Sequence, residues 1–327
     1  MTSPQQTPPE PFRISFTQEQ FYNILESNEN KPHPLQRCIM PVVMVRRNNV
    51  KVIGTAFAIA SGLLMTAEHV IHEIATIRDE LATEIIEGVS QVGVLYVAES
   101  NPTLELPPDT HLGGILPIWR VTSNPVTDVA LLNVNLPIIG TSRLRLGVLR
   151  LTVTPPPKGL SCCAIGYTAE ATILDSDEVP INNANGLGIE FSPALNGSKG
   201  LVGEVHPKGR DKLLLPFPSF ALSARLDQQM SGAPIIGSDM MGSTSDVCGI
   251  VTRAWEFVEG EEPLGYASLL WPALGLTSPV EESPGSPARE MTLYEMGKRG
   301  MVQIRGLEAV VFDPQLPTHI GYKVPGP

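Results

Sequence analysis

Three short motifs place a histidine, an aspartate and a serine in chain order, each beside an apolar run. They are TAEHV with His69, TDVALL with Asp128 and QMSGAP with Ser231. A histidine can act as a general base near neutral pH, a carboxylate can orient its imidazole, and a serine hydroxyl can then attack a carbonyl carbon. The three motifs together predict acyl transfer through a covalent intermediate.

The elements around these residues must hold them rigidly. The segment GTAFAIASGLLMTAEHVI predicts two strands joined at Ser61-Gly62, with His69 at the end of the second. Asp128 leads into the apolar run VALLNV, where a buried carboxylate requires a partner such as an imidazole N–H. Ser231 precedes Gly232, which permits unusual dihedral angles and therefore a tight bend. Taken singly, each residue also fits an ordinary core or turn position, so the prediction depends on their combination.

Short apolar runs separated by Gly, Pro, Asn and Ser predict an all-β chain folded as an antiparallel barrel or sandwich. Three consecutive prolines at 155–157 lack backbone donors, and we interpret them as a linker between two halves. The predicted units are an N-terminal extension (1–34), a first half with His69 and Asp128 (35–153), a second half with Ser231 (158–276) and a C-terminal extension (277–327).

Three segments outside the predicted strands carry other signals. FTQEQFYNILES predicts one helix, because Phe16, Phe21, Ile24 and Leu25 recur near helical spacing. Residues 72–90 have helical periodicity as well. The stretch SPVEESPGSPARE after Thr277 is expected to be mobile, whereas the later apolar clusters in GMVQIRGLEAVVF are expected to add a strand or dock on the body.

Composition limits the function. The net charge of −11 argues against nucleic-acid partners, and no apolar stretch is long enough for a membrane span. The start of the sequence has no basic or apolar signal region, and four cysteines are too few for a disulfide framework, so we expect buried free thiols and a cytoplasmic location. His69 and His72 in HVIHE lack the spacing of a zinc motif, so neither a metal nor another cofactor is predicted.

With these motifs the chain resembles the trypsin-like, chymotrypsin-fold serine peptidases, including their non-secreted, HtrA-like branch. The resemblance covers about residues 38–276, and CCAIGY and CGIVTRAW fit two further strands of that family. It implies two antiparallel six-stranded β-barrels with short helices. It also implies that His69 is the general base, Asp128 its orienting carboxylate and Ser231 the nucleophile.

The residue two positions before the nucleophile departs from the family, which has glycine there. The resemblance implies an oxyanion hole made by the backbone N–H groups of Gln229 and Ser231. Holding a non-glycine residue in a strained conformation costs about 1–3 kcal/mol, so two resting states remain open. Either the hole is formed, or the peptide before Gln229 is flipped until a substrate or partner orders the loop.

Substrate selection has two alternatives at this stage. The resemblance puts Thr252, Arg253 and Ala254 along the cleft wall and Arg225 to Asp227 at the floor of the primary pocket. Inward-facing arginines would favour acidic side chains, whereas an inward-facing Asp227 would favour basic ones.

Two functions follow from these residues. The first is a serine endopeptidase acting on protein or peptide substrates. The second is a catalytically silent domain of the same fold that binds peptides or proteins in its cleft. Regulation by a partner protein or by the 277–327 segment is open under both.

Overall fold

The computed structural model describes residues 21–23, 34–46, 49–86, 90–97, 113–124, 127–139, 142–168, 194–237, 246–254, 263–281, 287–312 and 320–322. Within these ranges the chain forms twenty-one β-strands, three α-helices and four 3₁₀ helices. No helix in these ranges is long and apolar enough to cross a membrane.

The first half forms a closed barrel. Its elements in chain order, after the separate strand β1 (Phe21–Asn23) and a 3₁₀ helix (Pro34–Arg37), are β2 (Ile39–Arg46), β3 (Asn49–Ala60), β4 (Leu63–Thr66), α1 (Glu68–Glu80), α2 (Ala82–Ile86), β5 (Ser90–Val97), β6 (Gly113–Ser123) and β7 (Ala130–Val134). The six strands close in the order β2-β3-β4-β7-β6-β5, and every pairing is antiparallel. Gly62, at a φ of 71°, makes the turn between β3 and β4, as the sequence predicted.

The first helix begins earlier than the sequence predicted. The periodicity indicated a helix from residue 72, but α1 starts at Glu68, so His69 lies in its first turn instead of at the end of a strand. The buried residues of α1 are Val70, Ile74 and Ile77, whose spacing forms one apolar stripe against the barrel. Extending this stripe back by one turn reaches the residues just after β4, which is why the helix begins there.

The second half repeats the architecture of the first. Two short strands, β8 (Ile138–Ile139) and β9 (Ser142–Arg143), and the linker strand β10 (Leu151–Thr152) precede β11 (Ser161–Thr168), β12 (Ala194–His206), β13 (Ser219–Leu222), β14 (Pro234–Gly237), β15 (Val247–Ala254) and β16 (Gly265–Ser268). These last six strands close in the order β11-β12-β13-β16-β15-β14, which is the order of the first barrel. The prediction of two six-stranded antiparallel barrels is confirmed.

All four cysteines are free thiols in the interior. Burial raises the pKa of Cys38 to about 11 and that of Cys248 to about 12, and it also raises the pKa of Cys162. Because the thiolate is the reactive form, these side chains are protected both by burial and by their protonation state.

The helix predicted for the N-terminal extension is wrong where the structure describes it. Phe21–Asn23 form β1, which pairs antiparallel with Asn196 to Ser198 of β12. One edge of β12 pairs with β11 along these residues. On the other edge β13 pairs only from Val202 onward, which leaves the backbone groups before Val202 for β1. An uncovered strand edge has unpaired backbone groups, and satisfying them outweighs the helical spacing of a short segment. The rest of the predicted helix lies outside the described residues.

The C-terminal extension packs on the body. Its elements are β17 (Thr277–Val280), β18 (Arg289–Thr292), α3 (Leu293–Lys298), β19 (Ile304–Arg305), β20 (Val310–Phe312) and β21 (Ile320–Tyr322). Strand β19 runs parallel to β10, so the expectation that this part adds a strand is confirmed.

The mobility expected after Thr277 is wrong for the described residues, because β17 pairs with β18. Asn133 Nδ2 of the first barrel donates to Ser278 Oγ at 2.7 Å, and Arg120 pairs with Glu290 through both guanidinium branches. These long-range contacts are not visible in local composition. Residues 282–286 lie outside the described residues.

Candidate active site

His69 and Asp128 meet at the mouth of the first barrel. Nδ1 of His69 lies 2.9 Å from Oδ2 and 3.1 Å from Oδ1 of Asp128, and the backbone N–H of His69 donates to Oδ1 at 3.0 Å. The first turn of α1 supplies this N–H, since the first amides of a helix have no partner within it. One carboxylate therefore fixes both the backbone and the ring of the histidine.

The two side chains differ strongly in their exposure to solvent. The Asp128 side chain is 7% exposed, whereas that of His69 is 43% exposed. With Nδ1–H donating to the carboxylate, Nε2 keeps its lone pair and can accept a proton. A buried carboxylate that holds an exposed imidazole in this way can orient it as a general base.

Ser231 follows a 3₁₀ helix, Gln228–Met230, at the start of the bend into β14. The next residue, Gly232, has a φ of 86°. A Cβ atom on Gly232 would overlap the Thr55 carbonyl oxygen and Thr66 Oγ1, and it would lie 3.0 Å from Ala67 N. Only glycine fits this position, both for its conformation and for its space.

The Ser231 loop lies directly against the elements that hold His69. The Thr55 N–H of β3 donates to the Ser231 carbonyl at 2.8 Å. A Cβ atom on the adjacent Gly54 would be 3.1 Å from that carbonyl and 2.8 Å from the methyl groups of Val70, the residue after His69. The backbone of Ser231 therefore lies beside β3 and close to the residue that follows His69, whereas contact between the His69 and Ser231 side chains stays a prediction.

The backbone around the predicted oxyanion hole adopts the flipped state that the sequence left open. The Ser231 N–H donates to the Gln228 carbonyl oxygen at 3.1 Å. This carbonyl oxygen lies where an oxyanion would accept the Ser231 N–H. A trans peptide holds its C=O and N–H on opposite sides, so the Gln229 N–H points away from Ser231 N. The two donors do not converge in this conformation, and their role in turnover stays a prediction.

Thr55 holds the turn in place, and the sequence analysis missed it. Its Oγ1 donates to the Gln229 carbonyl at 3.1 Å and accepts from the Tyr167 N–H at 3.1 Å, so one hydroxyl joins the loop to both barrels. Thr55 is fully buried on β3. The available signal was a hydroxyl within the apolar run VIGTAFAIA, since a buried polar group needs hydrogen-bond partners.

The residues predicted to select substrates lie on two segments of the chain that meet at Gly265 of β16. Arg225 and Asp227, before the 3₁₀ helix, pair with each other at 3.8 Å between Nε and Oδ1. Between them, Leu226 packs against Gly265 of β16. Thr252, Arg253 and Ala254 end strand β15, with Thr252 buried and the Arg253 side chain exposed. Their contact with a substrate stays a prediction.

No metal centre accompanies these residues in the part of the chain that the structure describes, where no three His, Cys, Asp or Glu side chains cluster suitably. His72 Nε2 pairs with Glu68 Oε1 at 2.9 Å on the helix surface, and its side chain is 77% exposed. His72 is therefore a solvated helix residue.

Comparisons with known proteins find structural likeness alone. No family model and no curated protein match the chain. Among solved structures, an inactive serine-to-alanine mutant of Rv3671c from M. tuberculosis H37Rv is 19% identical, with a TM-score of 0.38, over 72% of this chain and 82% of that chain. The active form of the Rv3671c protease is 16% identical, with a TM-score of 0.40, over 72% and 76%. Neuropsin, a serine protease of mouse brain, is 12% identical, with a TM-score of 0.43, over 72% and 90%.

Proposed function

We propose that the protein is a serine endopeptidase that hydrolyses peptide bonds through an acyl-enzyme. The observation that carries this proposal is the pairing of buried Asp128 with both the ring and the backbone of His69, beside the loop of Ser231. A carboxylate buried only for structural reasons would not require a solvent-exposed imidazole as its partner. A surface histidine without a chemical role would not require a buried carboxylate.

In the proposed reaction Ser231 Oγ attacks the carbonyl carbon of the scissile bond while His69 Nε2 takes the hydroxyl proton. The imidazolium is stabilised by Asp128 and returns the proton to the leaving amine. The acyl-enzyme is then hydrolysed by water, which His69 activates in the same way. Each proton transfer uses Nε2, because Nδ1 remains bonded to the carboxylate.

Turnover also requires a rearrangement of the turn before Ser231. The Gln228–Gln229 peptide must rotate so that the Gln229 N–H joins the Ser231 N–H and the Gln228 carbonyl withdraws. Losing one such donor costs about 10²–10³ in rate. We therefore infer that a bound substrate or a partner stabilises the rotated state.

A second function is favoured by the same turn. The Ser231 N–H is already bonded to Gln228, so the described conformation has no pair of free donors for an oxyanion at this place. A catalytically silent domain that binds peptides in its cleft would have no need to change this conformation.

Labelling with a fluorophosphonate probe separates the two functions. We expect the probe to label the wild-type chain on Ser231 and to leave the Ser231→Ala variant unlabelled. A second variant, Ser223→Ala, removes a hydroxyl elsewhere in the second barrel and should keep the labelling. Absence of wild-type labelling, with an intact fold by circular dichroism, would reject the peptidase in favour of the binding module.

Finer assignments remain predictions. They are membership of the HtrA-like branch, a cytoplasmic location, the identity of the protein or peptide substrate, and regulation by a partner or by the 277–327 segment. Gel filtration with and without candidate partners, followed by peptide turnover, would test the last of them.

A further inference from the structure

The outer surface of the second barrel beside Ser231 contains a covered tyrosine. Along β13 and β16 the residues Phe220, Leu222 and Ala267 belong to the barrel core. Ala221 and Tyr266 alternate with them and face outward, because successive strand side chains point to opposite faces. Tyr266 is nevertheless only 3% exposed, so another part of the chain covers it.

Arg210 provides part of this cover. Its guanidinium lies over the Tyr266 ring at 4.8 Å from the centroid. Arg210 belongs to the loop between β12 and β13, whose turn is closed by the Asp211 carboxylate accepting N–H bonds from Leu213 at 3.0 Å and Leu214 at 2.6 Å. These bonds lower the pKa of Asp211, led by the one from Leu214. The Asp211 carboxylate therefore closes the turn, and its charge also interacts with the neighbouring Arg210.

Arg253 adds a second guanidinium on the same face. In the register of β15 and β16 it stands directly opposite Tyr266, so the two side chains share the outer face. The Arg253 side chain is exposed, and among the described residues no carboxylate pairs with it. Lys208 and Lys212, both exposed, lie in the loop of Arg210. The four basic side chains outnumber the one carboxylate of this loop, Asp211, whereas the whole chain has a net charge of −11.

The face lies along the path that an extended peptide would take from Ser231. Gly232 N–H donates to the Val251 carbonyl at 2.9 Å, and Val251 N–H donates to Ala233 at 2.9 Å. These are the last bonds between this edge of β15 and the loop after Ser231, and no described strand pairs with the edge beyond them. A peptide added to this edge would pass Thr252, Arg253 and Ala254 in turn.

We propose that the surface formed by the Arg210 and Arg253 side chains over the covered Tyr266 is a substrate subsite for acidic side chains. The subsite rests on the proposed peptidase function, and it takes the second and fourth residues on the amino-terminal side of the scissile bond. The peptide residue directly before the scissile bond turns toward Arg225 to Asp227. Because side chains alternate along an extended peptide, the second and fourth residues before the scissile bond then face the outer surface. Arg225 and Asp227 pair with each other at 3.8 Å, and we assign the charge selection to the outer face.

Peptide binding to the Ser231→Ala variant tests the subsite without cleavage. Two fluorescent peptides would be compared by anisotropy, one with glutamate at the second and fourth positions and one with glutamine there. We expect the glutamate peptide to bind about 3- to 10-fold more tightly at low salt, as for exposed ion pairs. The preference should shrink as salt is added. Arg253→Gln in the same background should remove most of it.

A matched control exists on the C-terminal extension, where the exposed Lys298 lies over the Tyr294 ring at 5.6 Å. Lys298→Gln removes a comparable charge and should leave the glutamate preference unchanged. Equal affinity for the two peptides, including binding of neither, overturns the subsite, as does an unchanged preference in Arg253→Gln. If the glutamate preference is kept but the fluorophosphonate probe does not label the wild-type chain, the peptidase is rejected and an acidic-peptide subsite remains. The two failures are therefore distinguishable.

Discussion

At the scale of single residues, the site depends on buried side chains that each make more than one hydrogen bond. Asp128 accepts from the backbone and the ring of His69, and Thr55 links the loop of Ser231 to both barrels. Each is buried, so a substitution removes hydrogen bonds that water cannot replace. Changes at these residues should therefore have effects far larger than their size suggests.

Replacing Asp128 with asparagine should lower kcat by about 10³–10⁴. An amide that accepts from the His69 backbone directs its NH₂ group toward Nδ1, which stabilises the tautomer with the proton on Nε2. The rate of peptide hydrolysis, or of fluorophosphonate labelling, measures the loss. The control Glu73→Gln changes an exposed carboxylate that pairs with Lys51 and should leave the rate within twofold. An Asp128→Asn variant of wild-type rate would contradict the assigned role.

Replacing Gly232 with alanine should destabilise the fold by about 3 kcal/mol or more, because the new methyl group overlaps backbone and side-chain oxygens at a positive φ. Gly159 has a similar φ of 83° but no atom within 4 Å of its Cβ position. Gly159→Ala should therefore cost only about 1–2 kcal/mol. Unfolding in guanidinium chloride measures both, and equal losses would show that the close packing around Gly232 is not limiting.

At the scale of elements, a three-residue 3₁₀ helix decides the state of the site. Gln228–Met230 form a 3₁₀ turn, whose standard dihedral angles suit most residues, and the Ser231 N–H closes it. An N–H pair that converges on an oxyanion would need a different conformation at residue 229, which glycine reaches more easily than glutamine. The turn is therefore a conformational barrier placed directly beside the nucleophile.

Replacing Gln229 with glycine should raise the rate of fluorophosphonate labelling by about 5- to 150-fold, which corresponds to relief of 1–3 kcal/mol of backbone strain. The neighbouring Gln228→Gly variant introduces the same flexibility at a position where no positive φ is required, so its rate should change much less. Stopped-time labelling followed by mass spectrometry measures both rates. Equal rates for Gln229→Gly and the wild type would show that strain at residue 229 does not limit activation.

At the scale of the whole molecule, one buried carboxylate ties three regions together. Asp246 precedes β15 and pairs with Arg150 of the linker region and with Arg305 of β19, the latter at 3.2 Å. Strand β10 lies between β15 and β19, so the two ion pairs of Asp246 join residues at or beside strands of one continuous sheet. The C-terminal extension is thus part of the structure that holds the linker and the second barrel together.

Replacing Asp246 with asparagine should lower the free energy of unfolding by about 1–3 kcal/mol, because two guanidinium groups lose their shared carboxylate. Asp79→Asn on the exposed surface of α1 is the control and should change stability by less than about 0.5 kcal/mol. Chemical denaturation at constant ionic strength compares the two. A loss no greater than that of the control would show that Asp246 does not join these regions energetically.

The sequence by itself determined the all-β class and the chemical types at the site, and the two barrels were predicted from its resemblance to a known family. Alternating apolar runs and turn residues carry local information, and His69, Asp128 and Ser231 stand in motifs that can be recognised without a structure. It did not determine the start of α1, the β1 strand or the docking of β17 and β18, because each depends on partners far away in the chain.

Only the tertiary structure decided the state of the motif. The sequence left open whether the Gln229 and Ser231 N–H groups converge, since both states have acceptable local geometry. Thr55, more than a hundred residues earlier in the chain, bonds the Gln229 carbonyl and anchors the turn in which the Ser231 N–H bonds the Gln228 carbonyl. A hydrogen bond across the barrel interface can select between two local conformations that differ by only a few kcal/mol, which no local pattern records.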